Sequence, residues 1–156
     1  MVNYKYPNFT CHFMSIDADT TAAITAAFSK YARGYSKKDV DDLMDMMDSD
    51  FFGFGSGPDE VVTSLSELRS QLRRDFAQCG DLSIDFGPMK MAREGNAAWC
   101  AGDCTISAEV GDEMLRLDGR MSAVLRKADD QWLFAHVHFS VPDRGQEVGR
   151  SFPERK

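Results

Sequence analysis

Apolar residues recur three or four positions apart in the first half of the chain, which is the period of an amphipathic helix. A first helix is predicted from Asp17, because acidic residues stand at its start and an apolar stripe follows. Another is predicted from Ser64, which has capping-box spacing with Glu67, to a stop at Gly80. A short helix is predicted between these two. The three apolar stripes consist of Ile24, Phe28, Tyr31 and Tyr35, then Val40, Leu43, Met44 and Met47, then Leu65, Leu68, Leu72 and Phe76.

The second half of the chain predicts strands only. Alternating apolar and polar runs are separated by hairpin turns at Gly95-Asn96, Gly111-Asp112 and residues 128–130. Helices followed by an antiparallel meander indicate an α+β fold, in which a curved antiparallel sheet carries the N-terminal helices on its concave face and forms a cone with an internal pocket. The predicted strands span residues 82–93, 97–110, 114–127 and 131–141, after a shorter strand at 51–54.

Hairpin turns also determine which residues face each other across neighbouring strands. A two-residue turn at Gly111-Asp112 places Asp103 opposite Arg120. For the last hairpin, a two-residue loop would put Arg120 and His138 on opposite faces. We predict instead a three-residue loop with Asp130 in the left-handed conformation, which places Arg120 opposite His138. One sheet face then carries a mixed set of side chains, namely Trp99, Asp103, Arg120, Ser122, Val124, Trp132, Phe134, His136, His138 and Ser140.

The other sheet face contains no charged residue and is therefore not left in water. Helices can cover only one side of the sheet. We expect them to cover the mixed face, and a second copy of the chain to bury the uncharged face in a twofold homodimer. Asp103, Arg120 and His138 would then form a polar row in a cavity at the wide end of the sheet.

The charge balance limits the classes of partner. The 156-residue chain has 18 basic and 25 acidic residues, a formal net charge of -7 and a pI near 4.9, so we expect no nonspecific binding to nucleic-acid phosphates or anionic membranes. Its first residues do not have the pattern of a signal peptide, and no run approaches the roughly 18 apolar residues that a membrane span needs, so we expect neither feature. We predict a cytoplasmic protein whose four cysteines are thiols. Its length corresponds to one domain, which we place at residues 17–142 between an N-terminal arm, 1–16, and a polar tail, 143–156.

The polar row suggests acid and base chemistry without a cofactor. His138 would titrate near neutral pH, with Asp103 orienting it and Arg120 binding a carboxylate or a developing enolate. Tyr31 could add a hydroxyl. Two other interpretations stay open: Asp103 and Arg120 could form a structural cross-strand ion pair, and His136 with His138 could ligate a metal. Because the charge of Arg120 disfavours an adjacent cation, we predict no metal site.

Several stretches resemble the SnoaL-like branch of the nuclear transport factor two superfamily. They are FGFGSGPDEVV, SELRSQLRRDF, AAWCAGD and GRMSAVLRKADDQWLFAHVHFSVP, within residues 17–142. The resemblance implies a conical α+β fold, a dimer and an internal pocket that opens at one end. It assigns no activity, because the superfamily includes cyclases, isomerases, dehydratases and members with no known reaction.

We therefore predict a homodimer that binds a small organic molecule beside Asp103, Arg120 and His138. The alternatives are a cofactor-independent isomerase, cyclase or dehydratase acting on an apolar ligand, and a non-catalytic oligomerisation module. The other predicted ligand-pocket residues are Tyr31, Trp99, Ser122, Trp132, Phe134, His136 and Ser140.

Overall fold

Three helices and seven strands make up the computed structural model, which describes residues 16–152. Asp17 and Ser64 cap the two longer helices as predicted, each accepting a hydrogen bond from the backbone N–H three residues on. The short helix ends before Met47, which starts the first strand instead. The elements are α1 (Ala18–Lys37), α2 (Val40–Met44), β1 (Met47–Phe54), β2 (Val61–Val62), α3 (Leu65–Ala77), β3 (Leu82–Phe86), β4 (Lys90–Glu94), β5 (Ala97–Val110), β6 (Glu113–Ala128) and β7 (Gln131–Ser140).

The strands form one curved sheet in the order β2-β1-β7-β6-β5-β3, and β4 also pairs with β5. All neighbouring strands pair antiparallel except for β1 and β7, which run parallel to each other. The predicted α+β fold is confirmed, whereas the expectation of a wholly antiparallel sheet is wrong at this pair. β1 and β7 are far apart in the sequence, so no hairpin turn indicated their pairing.

The β5–β6 register is the predicted one, with Asp103 opposite Arg120. The β6–β7 register differs from the prediction. Its loop has two residues, since Ala128 pairs with Gln131, and Arg120 faces Ser140 rather than His138. The left-handed residue of this loop is Asp129, with a φ of 51°, and not Asp130.

A β-bulge at Ala135 explains the difference. Leu125 pairs with Phe134 and its neighbour Val124 pairs with His136, so Ala135 is an extra residue on β7. An extra residue reverses the alternation of side chains along the strand. Phe134 therefore lies on the inner side of the sheet together with Leu125, while His136 and His138 project to the outer side.

The helices cover the uncharged face of the sheet, which reverses the sequence-based assignment. Leu125 and Phe134 are fully buried there, and the Phe134 ring packs edge-on against Phe28 of α1 at 5.2 Å. The physical reason is that the apolar stripes of α1 and α3 need an apolar partner, and the uncharged face provides one within the same chain. The mixed face is the outer face of the sheet, where Trp99 is 42 % exposed.

An ion pair joins the end of β6 to the start of β1. The Asp48 carboxylate is buried and accepts hydrogen bonds from two nitrogens of the Arg126 guanidinium and from the backbone N–H of Asp50. This contact fixes β1, whose later residues form part of the cavity wall described below. No helix within residues 16–152 has the length and hydropathy needed to cross a bilayer.

Candidate functional site

The predicted polar row lies on the outer face of the sheet and not in an internal cavity. Asp103 and Arg120 are exposed and face each other across β5 and β6, yet they form no ion pair among the described residues. His138 is exposed, with its ring 6.0 Å from that of Phe54. The three residues share a face as predicted, but the helices cover the opposite one. Their placement in a pocket is therefore wrong.

The other predicted pocket residues divide between the outer face and the core. Ser122 is exposed on the outer face, and Ser140 and His136 are partly buried there. The Nδ1 atom of His136 lies 3.1 Å from the Phe52 carbonyl oxygen. Two further members of the set, Trp132 and Phe134, are buried in the core, Trp132 beneath the guanidinium of Arg93. Trp99 is exposed on the outer face.

A cavity of about 720 Å³ lies between the helices and the inner face of the sheet. Tyr31 is the one predicted pocket residue that lines it. Most of its wall is apolar and comes from α3 and from the inner residues of β1, β3, β5, β6 and β7. These include Phe51, Leu68, Phe76, Ile84, Ile106, Leu115, Leu117, Met121, Val137 and Phe139. The polar part of the wall comes from the helices and the loop before β2, with Tyr31, Tyr35, Ser56, Glu60, Gln71, Asp75, Gln78 and Cys79.

Two tyrosines one turn apart on α1 line this cavity, and their hydroxyls are hydrogen-bonded to each other. The Tyr31 and Tyr35 oxygens are 3.3 Å apart, and Tyr31 is only 6 % exposed. Burial raises the pKa of Tyr31 well above its usual value, and it raises the pKa of Tyr35 to about 12. Both phenols are therefore neutral at physiological pH. One hydroxyl donates to the other, so the accepting hydroxyl keeps a proton for which the described residues provide no second acceptor.

The carboxyl groups of Glu60 and Asp75 stand in the same wall. Glu60 accepts a hydrogen bond from the Gly57 backbone N–H at 2.7 Å, while Asp75 accepts one from the Arg74 Nε at 3.1 Å. Partial burial raises the pKa of Asp75 above its usual value, although the Arg74 guanidinium opposes this effect. Both carboxylates also help to raise the pKa of Tyr35 by repelling its ionised form.

Lys38 fixes the end of α3 against the end of α1. Its backbone is left-handed, with a φ of 54°, and its ammonium group donates to the carbonyl oxygens of Phe76 and Cys79. A positive charge is favourable at a helix C-terminus, where carbonyl groups lack partners inside the helix. Lys38 thereby positions Phe76 and Cys79, which both line the cavity.

Sequence reasoning placed Tyr35 on the apolar stripe of α1 but did not assign it to the site. The apolar wall was also present in the sequence as the uncharged face, which was assigned to a dimer interface. Glu60 and Asp75 had no distinguishing signal, because a carboxylate in a loop or on a helix surface is ordinary. Within residues 16–152, no cluster of three or more histidine, cysteine, aspartate or glutamate side chains is arranged to hold a metal ion.

Comparison with known proteins finds a matching family and several solved structures of similar architecture. The family described as a SnoaL-like domain matches residues 24–144, most of the chain. A nuclear transport factor 2-like superfamily protein from Salmonella enterica serovar Typhimurium has a TM-score of 0.74 at 21 % identity, covering 86 % of this chain and 100 % of that one. No curated protein sequence gives a significant match.

Two structures from Novosphingobium aromaticivorans are also similar. One protein, proposed to be an aromatic ring hydroxylase, has a TM-score of 0.76 at 16 % identity, covering 81 % of this chain and 92 % of its own. The other, proposed to be a scytalone dehydratase, has a TM-score of 0.73 at 15 % identity, covering 85 % and 95 %. At such identities the likeness establishes the fold alone.

Proposed function

We infer that this chain, which belongs to the SnoaL-like domain family, binds a small and mainly apolar organic molecule in the cavity between its helices and its sheet. The observation that carries the proposal is the cavity itself, with its volume of about 720 Å³ and, in its wall, the hydrogen-bonded pair of the buried Tyr31 and the partly buried Tyr35. Ligand pockets have volumes of roughly 300–1,000 Å³ and combine apolar walls with a few polar groups.

The tyrosine pair supplies the polar anchor. Because two hydroxyls share one hydrogen bond, the pair offers one remaining O–H donor to the cavity. A buried donor without a partner is costly, so a ligand oxygen that accepts this hydrogen bond gains affinity. The expected ligand therefore carries a carbonyl, hydroxyl or ether oxygen on an apolar body.

A proton-transfer enzyme of the isomerase, cyclase or dehydratase kind is the second candidate. The observation in its favour is that Asp75, whose pKa is raised by burial, lies in the same wall as the tyrosines. A carboxyl with a raised pKa is a candidate general acid or base. Two structurally similar proteins are themselves proposed to be a hydroxylase and a dehydratase. If the protein is such an enzyme, Asp75 is the candidate acid or base to substitute, in place of the outer-face residues Asp103 and His138.

For the outer face we propose self-association. The exposed side chains of Trp99, Phe52 and Val124 form an apolar surface. Asp103 and Arg120, which have no ion-pair partner within residues 16–152, carry charges of opposite sign. In a twofold dimer, Asp103 of one copy can approach Arg120 of the other. Sedimentation at micromolar concentration tests this: we expect a dimer, and a monomer for Val124→Arg. A monomeric wild-type protein would exclude it.

Thiol labelling tests occupancy of the cavity. Cys79 lines the cavity and is partly exposed, whereas burial raises the pKa of Cys100 and Cys104 to about 11. In a Cys11→Ser background, iodoacetamide at pH 8 should therefore modify Cys79 first. We expect an apolar ketone that raises the Tm to slow this reaction at the same concentrations.

Matched variants test whether the hydroxyls of Tyr31 and Tyr35 bind the ligand. Tyr35→Phe and Tyr31→Phe retain the rings but remove one hydroxyl, and each should weaken binding of the ketone. Ser122→Ala removes a hydroxyl from the outer face and should leave affinity unchanged. If compounds that bind the protein never protect Cys79, or if Ser122→Ala weakens binding as much as the tyrosine variants do, the cavity is not the binding site.

A further inference from the structure

The charge of the cavity wall bears on which ligands can enter. Glu60 and Asp75 are part of the wall, and among residues 16–152 no lysine, arginine or histidine lines it. The wall also contains the side-chain amides of Gln71 and Gln78, which carry no net charge. Among the residues that the structure describes, the fixed charges in contact with the cavity are therefore all negative.

Nearby cations compensate this charge incompletely. Arg74 donates to Asp75 and to Asp59 and lies 3.9 Å from Glu60, so a single guanidinium serves three carboxylates. The Lys38 ammonium group donates to the backbone carbonyls of Phe76 and Cys79 and to neither carboxylate. Partial burial and, to a smaller extent, repulsion from Glu60 raise the pKa of Asp75, while the Arg74 guanidinium opposes both effects.

Aromatic rings stand beside these carboxylates. Tyr35 packs against Phe76 with centroids 5.5 Å apart and against Tyr31 with centroids 4.9 Å apart, and all three residues line the cavity. Aromatic faces attract cations, and they do so more strongly where water is excluded. Carboxylates and ring faces together form an environment that favours a positively charged group and disfavours an anion.

We infer that the cavity selects by charge, taking an apolar molecule that carries a protonated amine and rejecting the corresponding carboxylate. This inference rests on the proposed function and narrows it to a ligand class. The amine would lie toward Glu60 and Asp75, the apolar body toward Ile106 and Leu117 on the sheet, and an oxygen substituent would meet the spare hydroxyl proton of the tyrosine pair.

Three probes with the same body test the inference on the wild-type protein: 2-naphthylmethylamine, 2-naphthylmethanol and 2-naphthoate. At pH 7.5 they are cationic, neutral and anionic, and their affinities are measured by isothermal titration calorimetry. We expect the amine to bind most tightly, at least about tenfold more tightly than the carboxylate, because each unit charge meets the same two wall carboxylates with opposite sign. Equal affinities, or tighter binding of the carboxylate, would overturn the inference.

Variants then locate the source of the selectivity. Glu60→Gln and Asp75→Asn each remove one wall charge and should reduce the ratio of amine to carboxylate affinity several-fold. Asp19→Asn makes the same change in net charge about 24 Å along α1 from Tyr35, at 1.5 Å per residue, and should leave the ratio unchanged. Circular dichroism establishes that each variant is folded. The comparison of the three probes on the wild-type protein does not depend on these variants.

The outcomes separate this inference from the proposed function. If all three probes bind and protect Cys79 with no charge preference, the cavity is a ligand site and only the selectivity is wrong. If the amine is preferred but Glu60→Gln and Asp75→Asn both leave the ratio unchanged, the assigned carboxylates are wrong. If no probe binds and no apolar ketone protects Cys79, the proposed function itself fails.

Discussion

Replacing Gly119 by alanine tests the packing of the cavity wall directly. A methyl group at this position of β6 would lie 2.5 Å from the Ser140 carbonyl oxygen and 2.6 Å from the Phe139 ring. Both separations are far below van der Waals contact, and the carbonyl belongs to β7, so it cannot move away by rotating a side chain. Overpacking of this kind costs about 1–3 kcal/mol. Glycine in a strand is itself unfavourable by about 0.5–1 kcal/mol, so from the middle of both ranges the net loss of unfolding free energy should be about 1 kcal/mol.

Urea denaturation followed by circular dichroism measures this loss, and a second glycine of the same sheet region provides the control. At Gly87 the nearest atom to an added methyl group is the Asp103 carbonyl oxygen at 3.4 Å, an ordinary contact. Gly87→Ala should therefore be neutral or slightly stabilising, while Gly119→Ala should also lower the Tm by about 2–4 °C for a domain of this size. If Gly119→Ala is as stable as Gly87→Ala, the inner face of β6 is not packed as described here.

Two further predictions concern titration and the buried ion pair. Titration of the tyrosine pair should not change the unfolding free energy below about pH 10, but should lower it between about pH 10 and 12. The reason is that unfolded tyrosine ionises near pH 10, whereas burial raises the pKa of Tyr35 in the fold to about 12 and also raises the pKa of Tyr31. Tyr35→Phe should make this fall less steep in urea titrations at a series of pH values, and an unchanged slope would refute the assignment. Separately, Arg126→Met leaves the buried Asp48 without its guanidinium and should lower the Tm more than Arg116→Met, which breaks only an exposed pair. Equal Tm values in differential scanning calorimetry would contradict that ranking.

Local signals were sufficient for much of the fold. The Ser64–Glu67 capping box located the start of α3, and the tight turn at Gly111-Asp112 gave the β5–β6 register along its whole length. Both features depend on residues close together in the sequence, whose conformational preferences act without help from the rest of the chain. The pairing of β1 with β7 depends on distant residues, and no such signal existed for it.

The last hairpin shows where pattern reasoning fails. The two loops considered differed in whether Arg120 and His138 share a face, and the longer loop was chosen because it kept them together. In the protein, the shorter loop together with the extra residue Ala135 also places Arg120 and His138 on one face. No glycine or proline marks this bulge, and alanine is compatible with any regular strand. Loop length alone therefore could not determine the register.

The side of the sheet that the helices cover was also underdetermined, because alternation separates two faces without stating which is inside. The decisive fact is that α1 and α3 carry apolar stripes, which bury most apolar surface against the uncharged face. Residues that the sequence suggests as catalytic, such as Asp103 and His138, therefore lie on the outer face of the sheet. The polar groups of the cavity, such as Tyr35 and Asp75, occupy positions in ordinary amphipathic helices and converge only when α1 and α3 fold together.

The bulge at Ala135 links these two results physically. In a regular strand Phe134 and His136 would project to the same side, so either the histidine would enter the core or the phenylalanine would leave it. With Ala135 inserted, Phe134 packs 5.2 Å from the Tyr31 ring and supports the tyrosine pair of the cavity, while His136 stacks on Phe52 at 4.5 Å on the outer face. One unpaired residue thus allows the same strand to serve the proposed ligand site on one side and the proposed dimer surface on the other. Substitutions at Ala135 that alter the bulge should for this reason affect ligand binding and self-association together, whereas Tyr35→Phe should affect the first alone and Val124→Arg chiefly the second.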